Sequence, residues 1–287
     1  MPLILTAGVS PHQATISFLA PSYNYEKEVN QVRNQALQLI VLLNDAIQPF
    51  IPNQVGRYND DFEPRAFGDN MQKWGTSTIL IESGGYKDDP EKQQIRKINF
   101  VLFLTGLHAI AQQNYQKANI QDYFTIPENE RRLYDLVIRN AKQEKNGQEF
   151  IIALGVNRTE IDMADHRQFY HLSRIQNIGD LSTYFGYQEL DANGLTIESG
   201  KTYPKVQKNL QAVAELNTQR LLKRGYTTVQ VKDTESDSHL SSALLLDVVP
   251  RGTEPRKAIL LGQRANFILK KRKRVKYAVV NGVMIEL

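Results

Sequence analysis

Residues 66–86, AFGDNMQKWGTSTILIESGGY, decide how this chain is read. An apolar run, Thr78-Ile79-Leu80-Ile81, has strand composition and delivers one carboxylate, Glu82, into a Ser83-Gly84-Gly85 turn. Aliphatic and β-branched residues bounded by turn residues mark a strand. A carboxylate at the C-terminal end of a buried strand sits where open α/β sheets place their chemistry. Glu82 is therefore a candidate for chemistry, although on position alone a structural role is preferred. Its plainer role is a strand-end glutamate paired with a neighbouring arginine.

Working outward, strand and helix signals alternate. Leu3–Thr6 and Ala14–Leu19 read as strands, the second bounded by Pro11 and Pro21. A helix is expected from about Tyr25 to Ala46, with Asn24 as N-cap and Glu26 and Glu28 in its first turn. Its apolar positions Val29, Val32, Ala36, Ile40, Leu43 and Ile47 recur at helical spacing. Downstream of Glu82, Asp89-Pro90 opens a second helix with Asp as cap and Pro at the first helical position. Its expected buried face is Ile95, Ile98, Leu102, Thr105 and Ala109. Strand, helix, loop, strand, helix is an α/β signature. Residues 53–75 read as a long loop, and such loops are often functional.

The character changes near Asn119. Residues 128–142 read as a charged helix. Beyond them come short strand-like runs from Phe150 to Val280, interrupted by one long polar helix, Val206 to Arg224, ending at Gly225. The predicted organisation is an α/β part over 1–118, a helical connector over 119–147, and a β-rich, sandwich-like unit over 148–287.

Composition excludes several classes. With no cysteine, the 287-residue chain has neither disulfides nor thiolate metal ligands. No apolar run is long enough to span a membrane. The net charge of +4 is mild, and the basic run Lys270-Lys271-Arg272-Lys273-Arg274 reads as a solvated hairpin tip. No aromatic residues interleave with it, so no nucleic-acid partner is expected. There is no Gly-x-Ser-x-Gly elbow and no Walker or dinucleotide glycine pattern. The start, MPLILTAGVS, lacks a basic region like that of a signal peptide and looks like an interior strand.

The segment around Glu82 resembles the C-terminal half of the catalytic domain of zinc carboxypeptidases of the carboxypeptidase A type. The resemblance implies a partial carboxypeptidase-like mixed sheet with flanking helices, with Glu82 as the base that activates a zinc-bound water. It implies zinc as cofactor, with the ligands outside this chain. No His-x-x-Glu occurs, and His12 is the only histidine before Glu82. The expectation is a fragment of a periplasmic or secreted parent, lacking its metal-binding half. Tyr58 matches the position of a loop tyrosine that caps bound substrate. Arg65 is a candidate to bind a substrate carboxylate through a bidentate contact; equally, it joins a structural cluster with Asp60, Asp61 and Glu63. Asp69 and Asn70 carry no assigned role, and Trp74 is expected in the core. The histidines, His12, His108, His166, His171 and His239, are too irregularly spaced to make a zinc site.

The last stretch, LLGQRANFIL to VKYAVVNGVMIEL, resembles the closing β-hairpins of amidohydrolase-type proteins, with Asn266 where an acid is usual. Three functions follow. The first is a zinc metallocarboxypeptidase-like hydrolase of peptide C-termini. The second is a deacylase-type amidohydrolase acting on a small acylated amino acid. The third is a noncatalytic binding protein. A sheet missing its first strands would also self-associate through its exposed edge.

Overall fold

The computed structural model describes residues 5–89, 91–145, 147–162, 169–232, 244–255 and 258–287. The fold is mixed α/β with a strand-rich C-terminal part, as the sequence predicts. The chain divides into two compact units, residues 2–133 and 134–287.

The N-terminal unit contains β1 (Thr6–Ala7), β2 (Ile16–Leu19), α1 (Gln31–Ile47), β3 (Val55–Arg57), α2 (Phe67–Lys73), β4 (Leu80–Ser83), α3 (Gln93–Gln112), α4 (Gln121–Thr125) and β5 (Asn129–Glu130). Its central sheet runs β3-β2-β4, with β3 parallel and β4 antiparallel to β2. Ile16 and Phe18 point from the central strand into a core with Leu37, Ile40, Ile47, Ile98 and Leu102. Burying such aliphatic side chains contributes roughly 1.5–3 kcal/mol each.

Both helices start later than the sequence suggests. Asn30, not Asn24, caps α1, its Oδ1 accepting the Arg33 amide at 2.9 Å. Asn24 instead caps a preceding turn, accepting the Glu28 amide. Asp89 does serve α3, its carboxylate accepting the amides of Gln93, Gln94 and Ile95 from just upstream; Pro90 lies outside the described residues. The buried stripe of α3 is Ile95, Ile98, Leu102, Gly106 and Ala109.

The second unit holds β6 (Leu133–Lys145), β7 (Gln148–Asp162), β8 (Phe169–Gly179), β9 (Phe185–Asp191), β10 (Thr196–Ser199), β11 (Lys201–Gln207), α5 (Leu210–Ala214), α6 (Thr218–Lys223), β12 (Tyr226–Val231), β13 (Asp247–Pro250), β14 (Phe267–Lys271), β15 (Arg274–Val280) and β16 (Val283–Glu286). An eight-stranded sheet runs β16-β15-β14-β10-β6-β7-β8, with β9 on β6; β11-β12-β13 form a parallel sheet. Successive strand residues face opposite sides. Phe267 and Leu269 enter one core and Ile268 another, so β14 is covered on both faces.

Two predicted helices are corrected here. Residues 133–145 are a strand, not part of a charged helix. A bulge between Ile138 and Ala141, with Asn140 at φ 55°, resets the strand's alternation. Leu133, Leu136, Val137 and Ala141, all buried, stand at a spacing that a helix would also give. The charges are absorbed by neighbouring strands and loops: Arg139 binds Glu189 and the carbonyls of Leu181 and Tyr184. The long polar helix is β11 followed by the short α5 and α6, each started by an asparagine cap, Asn209 and Asn217. The basic run is the tip of the β14–β15 hairpin, as expected, with Arg272 at φ 57°.

Candidate functional site

Register explains how Glu82 and Tyr58 meet. Glu82 on β4 lies directly opposite Ser17 on β2, and Ser17 lies opposite Gly56 on β3. Residues opposite one another share a sheet face. Tyr58, two positions beyond Gly56, falls on that face too. It is the face turned away from Ile16, Phe18 and the helical core. The Tyr58 amide donates to the Phe18 carbonyl at 3.0 Å, tying the end of β3 to β2. The Tyr58 hydroxyl then donates to Glu82 Oε2 at 2.8 Å. Both side chains are half-buried. Burial first, and the bond to the Glu82 carboxylate second, push the Tyr58 phenol far above its ordinary value. It remains a proton-bearing donor throughout the neutral range.

Sequence reading missed Asn129 on β5. Its Oδ1 accepts from the Ser17 hydroxyl at 3.2 Å, while its Nδ2 is enclosed and has no hydrogen-bond partner among the described residues. The amide sits over Gly56, where an added Cβ would stand 2.0 Å from Asn129 Oδ1. Only glycine admits it, and that is the signal the sequence carried.

The loop after Tyr58 is anchored by charge. Arg33 of α1 is only 1% exposed and binds the Asp60 carboxylate, the Lys27 carbonyl and the Ala20 carbonyl. Lys27 adds contacts to Asp60 at 3.2 Å and Asp61 at 2.5 Å. Burial alone would push the Asp60 carboxyl up; the bonds from Arg33 and Lys27 together outweigh it and hold the group below the ordinary aspartate value.

Arg65 stands apart from this arrangement. Its side chain is 88% exposed and clasps Glu63 through two hydrogen bonds of 2.9 and 3.0 Å. That clasp, with the Arg65 amide, holds the Glu63 carboxyl down at about 2. Its geometry is that of a local cluster with Glu63, while Asp60 and Asp61 are held by Arg33 and Lys27. Asp69 accepts the Glu63 amide, and Asn70 donates to the carbonyls of Pro64 and Ala66, so both pin the loop to α2. Trp74 is not in the core: it is 70% exposed at the end of α2.

The strand that carries Glu82 also departs from expectation. β4 is an antiparallel edge strand, half-exposed along its length, so Glu82 stands beside the second residue of β2 rather than at a parallel sheet's C-terminal crevice. Its partner is a phenol rather than an arginine. Among the described residues no three His, Cys, Asp or Glu side chains group to hold a metal ion. His12 and His108 are exposed, His171 lies on β8, and His166 and His239 fall outside the described residues. The donor set around Glu82, one carboxylate paired with a phenol, does not fit zinc.

No family model matches the chain, and no curated protein sequence matches it. Two solved D-aminoacylase structures, one described as defining a novel subset of amidohydrolases and one a mutant in complex with copper chloride, share 15% identity with it. Each match covers 38% of this chain and 22% of the other, at a TM-score of 0.26. Neither fold nor activity transfers at that score. The resemblance to zinc carboxypeptidases is thus overturned: no family model or curated relative supports it.

Proposed function

We propose that the N-terminal unit is a hydrolase of the deacylase type, cleaving the amide bond of a small acylated amino acid. One observation carries the reading: the 2.8 Å bond between the half-buried Tyr58 phenol and Glu82 carboxylate, on the sheet face turned away from the helical core. It joins a base to a donor whose proton is firmly held, the two groups that amide hydrolysis requires.

In this mechanism Glu82 takes a proton from a water, and the hydroxide adds to the amide carbonyl. As the Glu82 carboxyl becomes neutral, its claim on the Tyr58 proton weakens, and the phenol turns to the oxyanion that has formed. The C–N bond then breaks, and the Glu82 proton passes to the leaving amine. Asn129 acts by position, holding Ser17 and closing over Gly56.

The test is release of free amine from a panel of N-acetyl and N-butanoyl amino acids, followed with an amine-reactive dye. Turnover that saturates with substrate supports the reading. A panel with no release above the spontaneous rate refutes it.

A further inference from the structure

We propose that a cavity in the C-terminal unit is a binding site for a small amphipathic carboxylate, its head on Arg158 and its tail against a leucine wall. This goes beyond the Glu82 chemistry and does not depend on it. The cavity measures about 350 Å³, within the range of small-ligand sites, which begins at about 300 Å³. Such a volume suits a ligand of roughly ten non-hydrogen atoms.

One wall is apolar. Leu244, Leu245 and Leu246 line it, with Leu210, Val248 and Ile285. Leu245 is 51% exposed and so presents apolar surface to the cavity.

The lining also carries two guanidinium groups, Arg158 and Arg264, against one carboxylate, Asp247. Asp247 and Arg264 are already matched: Arg264 Nη1 donates to Asp247 Oδ1, and Asn266 Nδ2 donates to Oδ2, each at 2.6 Å. Arg158 is not matched in this way. Its Nε is enclosed and has no hydrogen-bond partner among the described residues. Its Nη2 stands 3.9 Å from Asp135 Oδ1, beyond hydrogen-bond length, while Asp135 Oδ2 accepts the Arg158 backbone amide at 2.6 Å. The Arg158 side chain is 36% exposed, which leaves its Nη edge reachable, and a carboxylate meets a guanidinium edge with two parallel bonds. The Arg158 stem is fixed by Gly282, where an added Cβ would lie 3.1 Å from Arg158 Cγ. Asn281 braces the same corner, donating through Nδ2 to the His171 carbonyl at 2.7 Å. An anionic head on a hydrocarbon tail satisfies both parts of the lining together; a phosphate would leave the leucines uncovered, and a hydrocarbon would leave Arg158 unmatched.

Calorimetric titration of the whole chain with sodium octanoate tests this, with acetate and octan-1-ol supplying head and tail alone. The expected result is one saturable octanoate site, no binding of acetate, and octanol weaker by at least tenfold. Arg158→Gln should weaken octanoate at least tenfold, and Leu245→Ser should weaken it by a smaller factor. Octanoate should also raise the wild-type melting temperature where octanol does not, a readout that stands even if a variant fails to fold. No octanoate binding, equal binding of octanol, or unchanged affinity in a folded Arg158→Gln variant would overturn the proposal.

Discussion

A hydrogen bond of 2.8 Å between Tyr58 and Glu82 can be interrogated one atom at a time. Tyr58→Phe removes the donor while leaving the base. If the phenol serves the oxyanion, kcat should fall about 100-fold with little change in KM, the size seen for loss of one such donor. Asp60 offers a separate residue-level test. With the Arg33 side chain 1% exposed, Asp60→Asn leaves a buried guanidinium without its countercharge and should cost about 3–5 kcal/mol in urea unfolding. The acid limb follows from the direction of the shift. Asp60 titrates lower in the folded state than unfolded, so its contribution is complete above the unfolded aspartate value, about 3.9, and is lost as pH falls through the folded one. Wild-type stability should decline below about pH 4, and Asp60→Asn should lack that part of the decline. Glu82 and Tyr58 were legible because a lone carboxylate after an apolar run and a tyrosine in a polar loop stand out. Arg33 was harder to see. It lies three, four and seven positions before Ala36, Leu37 and Ile40, on the buried stripe, where a charge signals a hidden partner.

At the scale of elements, the sheet tolerates little at Gly56. An alanine there would meet Asn129 Oδ1 at 2.0 Å, forcing β3 from β5's side chain and moving Tyr58 with it. Gly56→Ala should destabilise by about 1–3 kcal/mol, the usual cost of overpacking, and should lower activity further than stability loss explains. Thermal unfolding and initial rates on one preparation separate the two. Element type was legible where the period was clean, as in α1, α3 and the β14–β15 hairpin. It failed where a local break rewrote the period. The bulge at Asn140 interrupted the two-residue alternation of a strand, and the caps at Asn209 and Asn217 cut one expected helix into short pieces. The carboxyl-end rule for parallel strands misled because strand direction is set by pairing, and nothing within residues 78–83 states that β4 runs against β2.

For the whole molecule, the self-association expected from the sequence acquires an address. β4 closes one end of the order β3-β2-β4, leaving an open edge, and Ser83 on it accepts a hydrogen bond from Asn99 of α3. Beside that edge α3 exposes Phe100, Phe103, Leu104 and Leu107, spaced along one helical stripe. An open strand edge next to an apolar helix face is a template for a second copy. Sedimentation velocity at rising concentration should show a dimer or larger species, and Phe103→Glu with Leu107→Glu should return the chain to monomer. A concentration-independent monomer would contradict this. Among the described residues no helix is long and apolar enough to cross a membrane.

The central claim is that Glu82 is the base of an amide hydrolase. The most direct measurement compares wild type with Glu82→Gln on the acylated amino acid that the wild type cleaves fastest, after circular dichroism and melting have shown equal folding. The amide keeps an acceptor for Tyr58 but cannot take a proton from water. A fall in kcat of about 100-fold or more, with KM nearly unchanged, is predicted. Equal turnover by the two proteins, or no turnover by wild type on any acylated amino acid, would contradict the account.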